Sequence, residues 1–564
     1  MSTADSTLRK LEAAKRKFDA RSQTKLASII SGLKTIKVAN PDELIRLHET
    51  LLFMRAYPPG ARTAKLIDQV LKRVESWIAG LSNNDADLSA LDDPEVSGIT
   101  GGSVTTNFSY PVVRWLVAKY PAQVSIDWDW FDEEDRFGAT MPRFLPLLEE
   151  DAMVEAHVPY REWLRAAKGR ERSLAWLIGR FDSLPCSEKL KANLYDSLKL
   201  HLTWKYPFRS SRTGMRLTGR KLFAHNSPLI GRRDISLTQE LSSPPLPVTK
   251  LSTLEGEKIL EVARATSAVR YRELHGFTYG DTHHMLKAEL GRGTVAYVMG
   301  VPAPNRLPLR AYHAAMMFKN AVPVGYFEGL SICERMESGF NLYYTFRDGE
   351  TAWLYARMLR LMRQLLGVSV FSIDPYQVGH ENEEGIESGA FWFYRKLGFR
   401  PVKPELLKLT EAEEARTAKN PRHRSSAATL RKLAAGHLLF SLSKEPNDKR
   451  WDDFAVRNIG FAIQRRMAHD FGGNAAAMRA ESVAQVARSL EMKAGAWREA
   501  DRPAVENLSL VLSSIPSLHK WTSKEKTLGR RIIRAKAGGD EALYLKLTQK
   551  HTALRDALLR LGCG

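Results

Sequence analysis

Cysteine is scarce: Cys186, Cys333 and Cys563 are the only three in 564 residues, and they lie too far apart for any CxxC or Cys/His zinc spacing. An odd, scattered set excludes a disulfide framework and points to a reducing compartment. Long apolar runs are also missing, none approaching the roughly 18 residues that span a bilayer. The first residues, MSTADSTLRKLEAAKRKFDAR, carry charge where a signal peptide carries an apolar core. These absences predict a cytoplasmic protein with no membrane partner. Walker, HExxH and GxSxG motifs are absent too, and the glycine-rich stretch 98–103 (GITGGS) lacks the lysine of a phosphate loop.

What the chain has in excess is positive charge: 84 Lys and Arg against 64 Asp and Glu, a formal +20. Residues 411–564 hold 28 basic and 17 acidic residues, a surplus of 11. Such a balance suits polyanions, whether RNA or another nucleic acid, anionic lipid or a phosphate-bearing cofactor. It also suits a merely solubilising surface, and the surplus is dispersed. The length exceeds what one core usually supports, and apolar residues are spread throughout, so several packed domains are expected.

Three parts and a linker emerge along the chain. Residues 1–204 read as mainly helical: Leu26, Ile29, Ile30 and Leu33 recur at helical spacing, as do Leu44, Leu47, Leu51 and Leu52, with Pro58-Pro59-Gly60 as a break. The segment 127–135 mixes carboxylates with aromatic rings, a pattern more often packed than ligand-binding. Residues 205–249 lose periodicity, carry Arg209, Arg212, Arg216, Arg220, Lys221, Arg232 and Arg233, and read as a basic linker over the surface. Residues 409–564 read as helical again.

Residues 250–408 differ in kind. A helix over 255–272 precedes strand-like runs at 294–299, 310–318, 322–332 and 340–346, with Lys319-Asn320-Ala321 at hairpin length. A strong helix follows over 350–366, with the stripe Tyr355, Met358, Leu359, Met362 and Leu365 on one side and Arg357, Arg360, Arg363 and Gln364 on the other. Gly367 stops it. A continuously apolar run, 368–373, reads as a strand buried on both faces. A second helix over 387–397 ends at Gly398. The fold class is therefore mixed α/β at the centre, with mainly α-helical terminal regions.

The run 388–401, SGAFWFYRKLGFRP, resembles the closing motif of the GNAT (Gcn5-related N-acetyltransferase) superfamily, A-x-x-x-Y-x-K-x-G-F, with Tyr394, Lys396, Gly398 and Phe399 in place. The resemblance covers about 150 residues, the central module alone. It implies an acyl-CoA donor, acetyl-CoA or a longer chain, whose pyrophosphate lies on the loop before the 350–366 helix. A helix N-terminus suits that role physically, offering unpaired N–H groups and a positive dipole end. The loop here is Thr345, Phe346, Arg347, Asp348, Gly349, Glu350, Thr351 and Ala352. It departs from the family's [QR]-x-x-G-x-[GA] pattern in either alignment, and its acids would repel a pyrophosphate or serve to cap the helix.

The resemblance assigns the acid that protonates the leaving thiolate to Tyr394. The base that takes the amine's proton is sought among Glu334 and Glu337, with Glu328 less favoured. Asn382 and His380 occupy a loop that often touches cofactor in this fold. His275, His283, His284 and Asp281 cluster in sequence, yet adjacent histidines point different ways, so no metal is assigned and a role lining the cleft fits them better. The leading expectation is an acyl-CoA-dependent N-acyltransferase acting on an amine acceptor that the sequence does not identify. The alternatives are an aminoacyl-tRNA-dependent transferase of related fold and a non-catalytic scaffold that binds nucleic acid.

Overall fold

The strand-like runs at the centre of the chain pair into one large sheet, because their apolar residues can be covered only from both faces. The computed structural model describes residues 3–131, 134–144, 160–219, 221–442, 449–492 and 498–564. Asp132 and Glu133 of the aromatic-acidic segment, and Arg220 of the basic stretch, lie outside them. Twelve strands occur among the described residues: β1 (Ser103–Thr106), β2 (Val124–Ile126), β3 (Leu202–Lys205), β4 (Val248–Lys250), β5 (Leu286–Gly291), β6 (Thr294–Met299), β7 (Ala311–Lys319), β8 (Val322–Ile332), β9 (Arg335–Leu342), β10 (Val370–Ile373), β11 (Arg400–Pro401) and β12 (Leu438–Ser441). The helices that matter below are α1 (Pro41–Ala56), α2 (Thr253–Ala268), α3 (Thr351–Leu366), α4 (Glu383–Glu387), α5 (Ala390–Arg395) and α6 (Glu541–Gln549).

Nine strands form the sheet, in the order β11-β12-β10-β9-β8-β7-β6-β5-β4. All neighbours are antiparallel except β9 and β10. The β7–β8 turn puts Asn320 and Ala321 at φ +47° and +67°, the two left-handed conformations that a tight hairpin needs. The parallel pair needs a crossover, which α3 supplies. Gly367 ends α3 at φ +76°, as the glycine predicts. The second predicted helix is two short ones, because Gly389 at φ +64° interrupts it between α4 and α5.

The structure corrects the three-part division. One apolar core runs from Leu8 to Leu559, so the N-terminal and C-terminal helices pack on the sheet itself. A second cluster, between Val104 and Tyr206, surrounds the small β1-β3-β2 sheet inside the region expected to be helical, and reaches Ala265, Ala268 and Val269 at the end of α2. The C-terminal region also contributes a strand: β12 lies between β10 and β11. The stretch 205–249 is no surface linker. Arg212 is buried, pairs with Glu49 at 2.6 Å and donates to Thr345 Oγ1 at 2.7 Å. Glu240 takes Arg360 at 2.7 Å and Arg357 at 3.3 Å, and Gln364 exchanges hydrogen bonds with the backbone of Leu246. The polar side of α3 is therefore covered by this stretch instead of facing water. No helix among the described residues is long and apolar enough to cross a membrane.

Candidate active site

Unequal strand lengths open a cleft in the sheet. β9 has eight residues and β10 four. Their parallel ladder joins Arg335, Met336 and Glu337 to Val370, Phe371 and Ser372, and goes no further. After Ile373 the chain turns away at Asp374-Pro375 into a short 3-10 turn, where the proline has no N–H to offer a ladder. The far half of β9, Ser338 to Leu342, keeps β8 on one side and, among the described residues, no strand on the other. The space left is a cleft of about 640 Å³, within the range of roughly 300–1,000 Å³ typical of small-molecule sites.

Its floor is the sheet face carrying Tyr326 and Glu328 of β8 with Gly339 and Asn341 of β9, paired Tyr326 to Asn341 and Glu328 to Gly339. Gly339 keeps the floor low; a Cβ added there would meet nothing nearer than 3.9 Å. Glu328 accepts a hydrogen bond from Tyr312, whose hydroxyl also takes the Gly276 N–H at 2.9 Å. Burial raises the Glu328 carboxyl above its ordinary value, against the lowering pull of the Tyr312 bond and of His275. One end of the cleft is the start of α3, where Thr351 and Arg347 line it. The opposite wall is α4 and α5, with Asn382, Ser388, Phe393 and Tyr394. Burial among Tyr355, Phe393 and Phe399 pushes the Tyr394 phenol well up.

Sequence-predicted residues divide sharply. Arg347, Thr351, Asn382 and Tyr394 come together in the cleft. Arg347 is held there by Glu384 and by the Leu342 carbonyl at 3.3 Å. Asn382 caps α4 and donates to the Tyr376 carbonyl at 2.9 Å. The rest of the loop faces the N-terminal helices. Thr345 is buried between Glu49 and Arg212, Phe346 and Ala352 are buried, and Asp348 pairs with Lys15 at 3.0 Å. Gly349 sits under Tyr57, whose hydroxyl would lie 2.4 Å from an added Cβ and accepts the Glu350 N–H at 3.4 Å. Glu350 is fully buried against Lys319 at 3.0 Å and Arg292 at 2.7 Å. Of the carboxylates sought as base, Glu334 accepts from Trp451 at 3.1 Å, away from the cleft, and Glu328 lines it.

Glu337 lines a smaller cavity of about 230 Å³ on the same sheet face, with Arg310, Arg335, Asp374, His437 and Arg457. The donor atoms of Glu337, Asp374 and His437 lie within 4.8 Å of one another, close enough to hold a metal ion. Arg310 at 3.5 Å from Glu337 opposes a dication there. Burial, followed by Arg335, holds His437 below its ordinary pKa. No spacing in the chain announces this group, because His437 stands just before β12, a hundred residues downstream of Glu337. His283 and His284 do not line the cleft: His284 pairs with Asp281 at 2.8 Å beside a separate cavity, and His275 bonds the Asn305 carbonyl at 2.9 Å.

Taken together, the cleft offers an extended ligand a free strand edge, an anion a helix start with an arginine, and a reacting centre a phenol and carboxyls. No family model, curated protein or solved structure matches the chain.

Proposed function

We propose that the chain is a cytoplasmic acyl-CoA-dependent N-acyltransferase with a GNAT-like central module. The observation that carries this reading is the parting of β9 and β10 beside the start of α3. That geometry gives an amide-rich, rod-like donor both a strand edge to bond along and a positive helix end for its phosphates. Arg347 and Thr351 would hold the phosphate end, and Arg347 would exchange Glu384 for a phosphate oxygen. Asn382 would border the donor on the opposite wall. Tyr394 would protonate the departing thiolate, and Glu328, opposite Gly339 on the sheet, or Glu337, one row further along the same face, would take the proton of the attacking amine.

A second reading rests on the loop itself. The N–H groups of Phe346, Arg347 and Gly349 bond carbonyls within the loop and that of Glu350 bonds Tyr57, so few loop N–H groups are left for the cleft. That favours a donor without a pyrophosphate to seat, such as the aminoacyl end of tRNA.

Calorimetric titration of acetyl-CoA into the full chain separates the two. Micromolar binding, about −8 kcal/mol, is expected to vanish in Gly339→Phe, which puts a ring on the floor where a Cβ meets nothing nearer than 3.9 Å, and to survive in Tyr394→Phe. Gly349→Glu would instead drive a side chain into Tyr57 and test folding. Failure of acetyl-CoA and longer acyl-CoAs to bind the intact protein would overturn the first reading.

A further inference from the structure

The small cavity beside the cleft has an unusual mixture of walls. Arg310, Arg335 and Arg457 bring three guanidinium groups, and Glu337 and Asp374 bring two carboxylates. Leu330, Ile332, Phe454 and Val456 supply the apolar remainder. Arg310 and Glu337 stand 3.5 Å apart, longer than a direct charge-assisted hydrogen bond of about 2.7–2.9 Å. They thus present a cation and an anion side by side, each with bonding capacity left over. His437 adds a buried Nδ1 with no hydrogen-bond partner among the described residues. At about 230 Å³, below the roughly 300–1,000 Å³ of typical ligand sites, the space suits a small metabolite. It shares the sheet face of the cleft floor: Glu337 is two residues from Gly339 on β9, and Leu330 is two from Glu328 on β8.

We propose that this cavity is the acceptor subsite and that the acceptor is a small α-amino acid with an apolar side chain. Its carboxylate lies against Arg310 and Arg457. Its ammonium lies against Glu337 and Asp374, and its side chain lies on Leu330, Ile332 and Val456. A zwitterion carries its two charges on one carbon, which matches the adjacent Arg310 and Glu337. A metal ion fits less well, because the arginines already balance the carboxylates. The inference rests on the acyltransferase reading. In the reaction the ammonium gives one proton to Glu337 or His437, and the free amine attacks the thioester carbonyl. The C–N bond forms and the C–S bond breaks. Tyr394 protonates the thiolate and recovers a proton from the second one lost by nitrogen; the first leaves to solvent.

The test is calorimetry on the full chain with L-leucine, with and without saturating CoA. Leucinamide, N-acetyl-leucine, Mg²⁺ and Zn²⁺ serve as comparison ligands. Leucine is expected to bind at least tenfold more tightly than either blocked analogue. It should weaken at least tenfold in Arg310→Gln and in Glu337→Gln, both checked for an unchanged melting temperature. Equal binding of the blocked analogues would overturn the proposal, as would indifference to both variants. So would a stoichiometric metal ion lost in His437→Ala, or no binding of leucine in either condition. Acetyl-CoA binding without any amino-acid binding would sink the acceptor proposal and spare the acyltransferase reading. Leucine binding without acetyl-CoA binding would do the reverse to the reaction while leaving the subsite.

Discussion

Glu350 shows how a residue sought as a cofactor contact acts instead as a structural anchor. Its carboxylate is fully buried and meets Lys319 at 3.0 Å, Arg292 at 2.7 Å and the Ile230 N–H at 3.2 Å. Burial pulls the Lys319 ammonium down and would push the carboxyl up. The carboxyl nevertheless titrates below its ordinary range, because it has two cations while the ammonium has one anion. A depressed carboxyl stabilises the fold above its unfolded pKa, and that stability is lost as pH falls through the folded value. Glu350→Gln leaves Lys319 buried without its counter-ion. It is expected to cost about 3–5 kcal/mol in urea unfolding at pH 7. The gap between variant and parent should narrow below pH 4.5, on the order of the ordinary carboxylate pKa. An unchanged unfolding midpoint at pH 7 would refute the anchoring role. Nothing in the spacing of Lys319 and Glu350 announces their pairing, since the contact exists only once the β7–β8 turn and the start of α3 are folded together.

At the scale of elements, the four residues of β12 hold the edge of the sheet together. Its ladder with β10 runs from Val370↔Ser441 to Ile373↔Leu438, and on its other side it pairs with Arg400 and Pro401 of β11. Removing residues 409–564 would therefore expose the edge of β10 and detach β11, as well as stripping away Glu541 of α6, which accepts the Tyr312 N–H at 3.2 Å. The truncated chain is expected to lose cooperative thermal unfolding and near-ultraviolet circular dichroism. A cooperative melt within a few degrees of the parent would contradict this. The elements that could be read from the chain are those with a strong local signal: α3, with its heptad-like stripe and terminal Gly367, and β8, whose bounds 322–332 coincide with its apolar run. Those that could not be read are short. Leu438–Ser441 sits between helices, where three apolar residues and a serine fit either period, and β5 alternates too briefly to separate from its loop. The closing motif placed Tyr394 in the cleft, but the cleft itself depends on the length of β10 relative to β9, which Asp374-Pro375 decides. The same geometry brings in Glu328, sets Glu337 in the adjoining cavity and excludes Glu334, although all three glutamates look alike in sequence.

For the molecule as a whole, the +20 charge is spread over a chain whose described residues pack around two apolar clusters, one from Leu8 to Leu559 and one around the β1-β3-β2 sheet. The question is whether that charge forms a track into the cleft. At the cleft it does not: Arg347 is engaged by Glu384, with Glu95 at 3.9 Å, and Arg272 has Glu384 at 3.9 Å. Pairing of this kind can be exchanged for a compact phosphate, yet it gives a long polyanion no continuous attraction. Single-stranded RNA is accordingly expected to bind only through scattered surface lysines and arginines. Its affinity should fall steeply with salt, by about 0.7 in log K per log salt for each phosphate neutralised, and RNA should not displace acetyl-CoA. Fluorescence anisotropy from 50 to 300 mM salt, in roughly the range where such contacts weaken a thousandfold or more, reads this directly. Binding that persists at the upper end and competes with acetyl-CoA would place RNA in the cleft and favour the aminoacyl-tRNA reading. Binding that vanishes leaves the charge as a property of the surface, and leaves the cleft to a donor small enough to be held by Arg347, Thr351 and the free edge of β9.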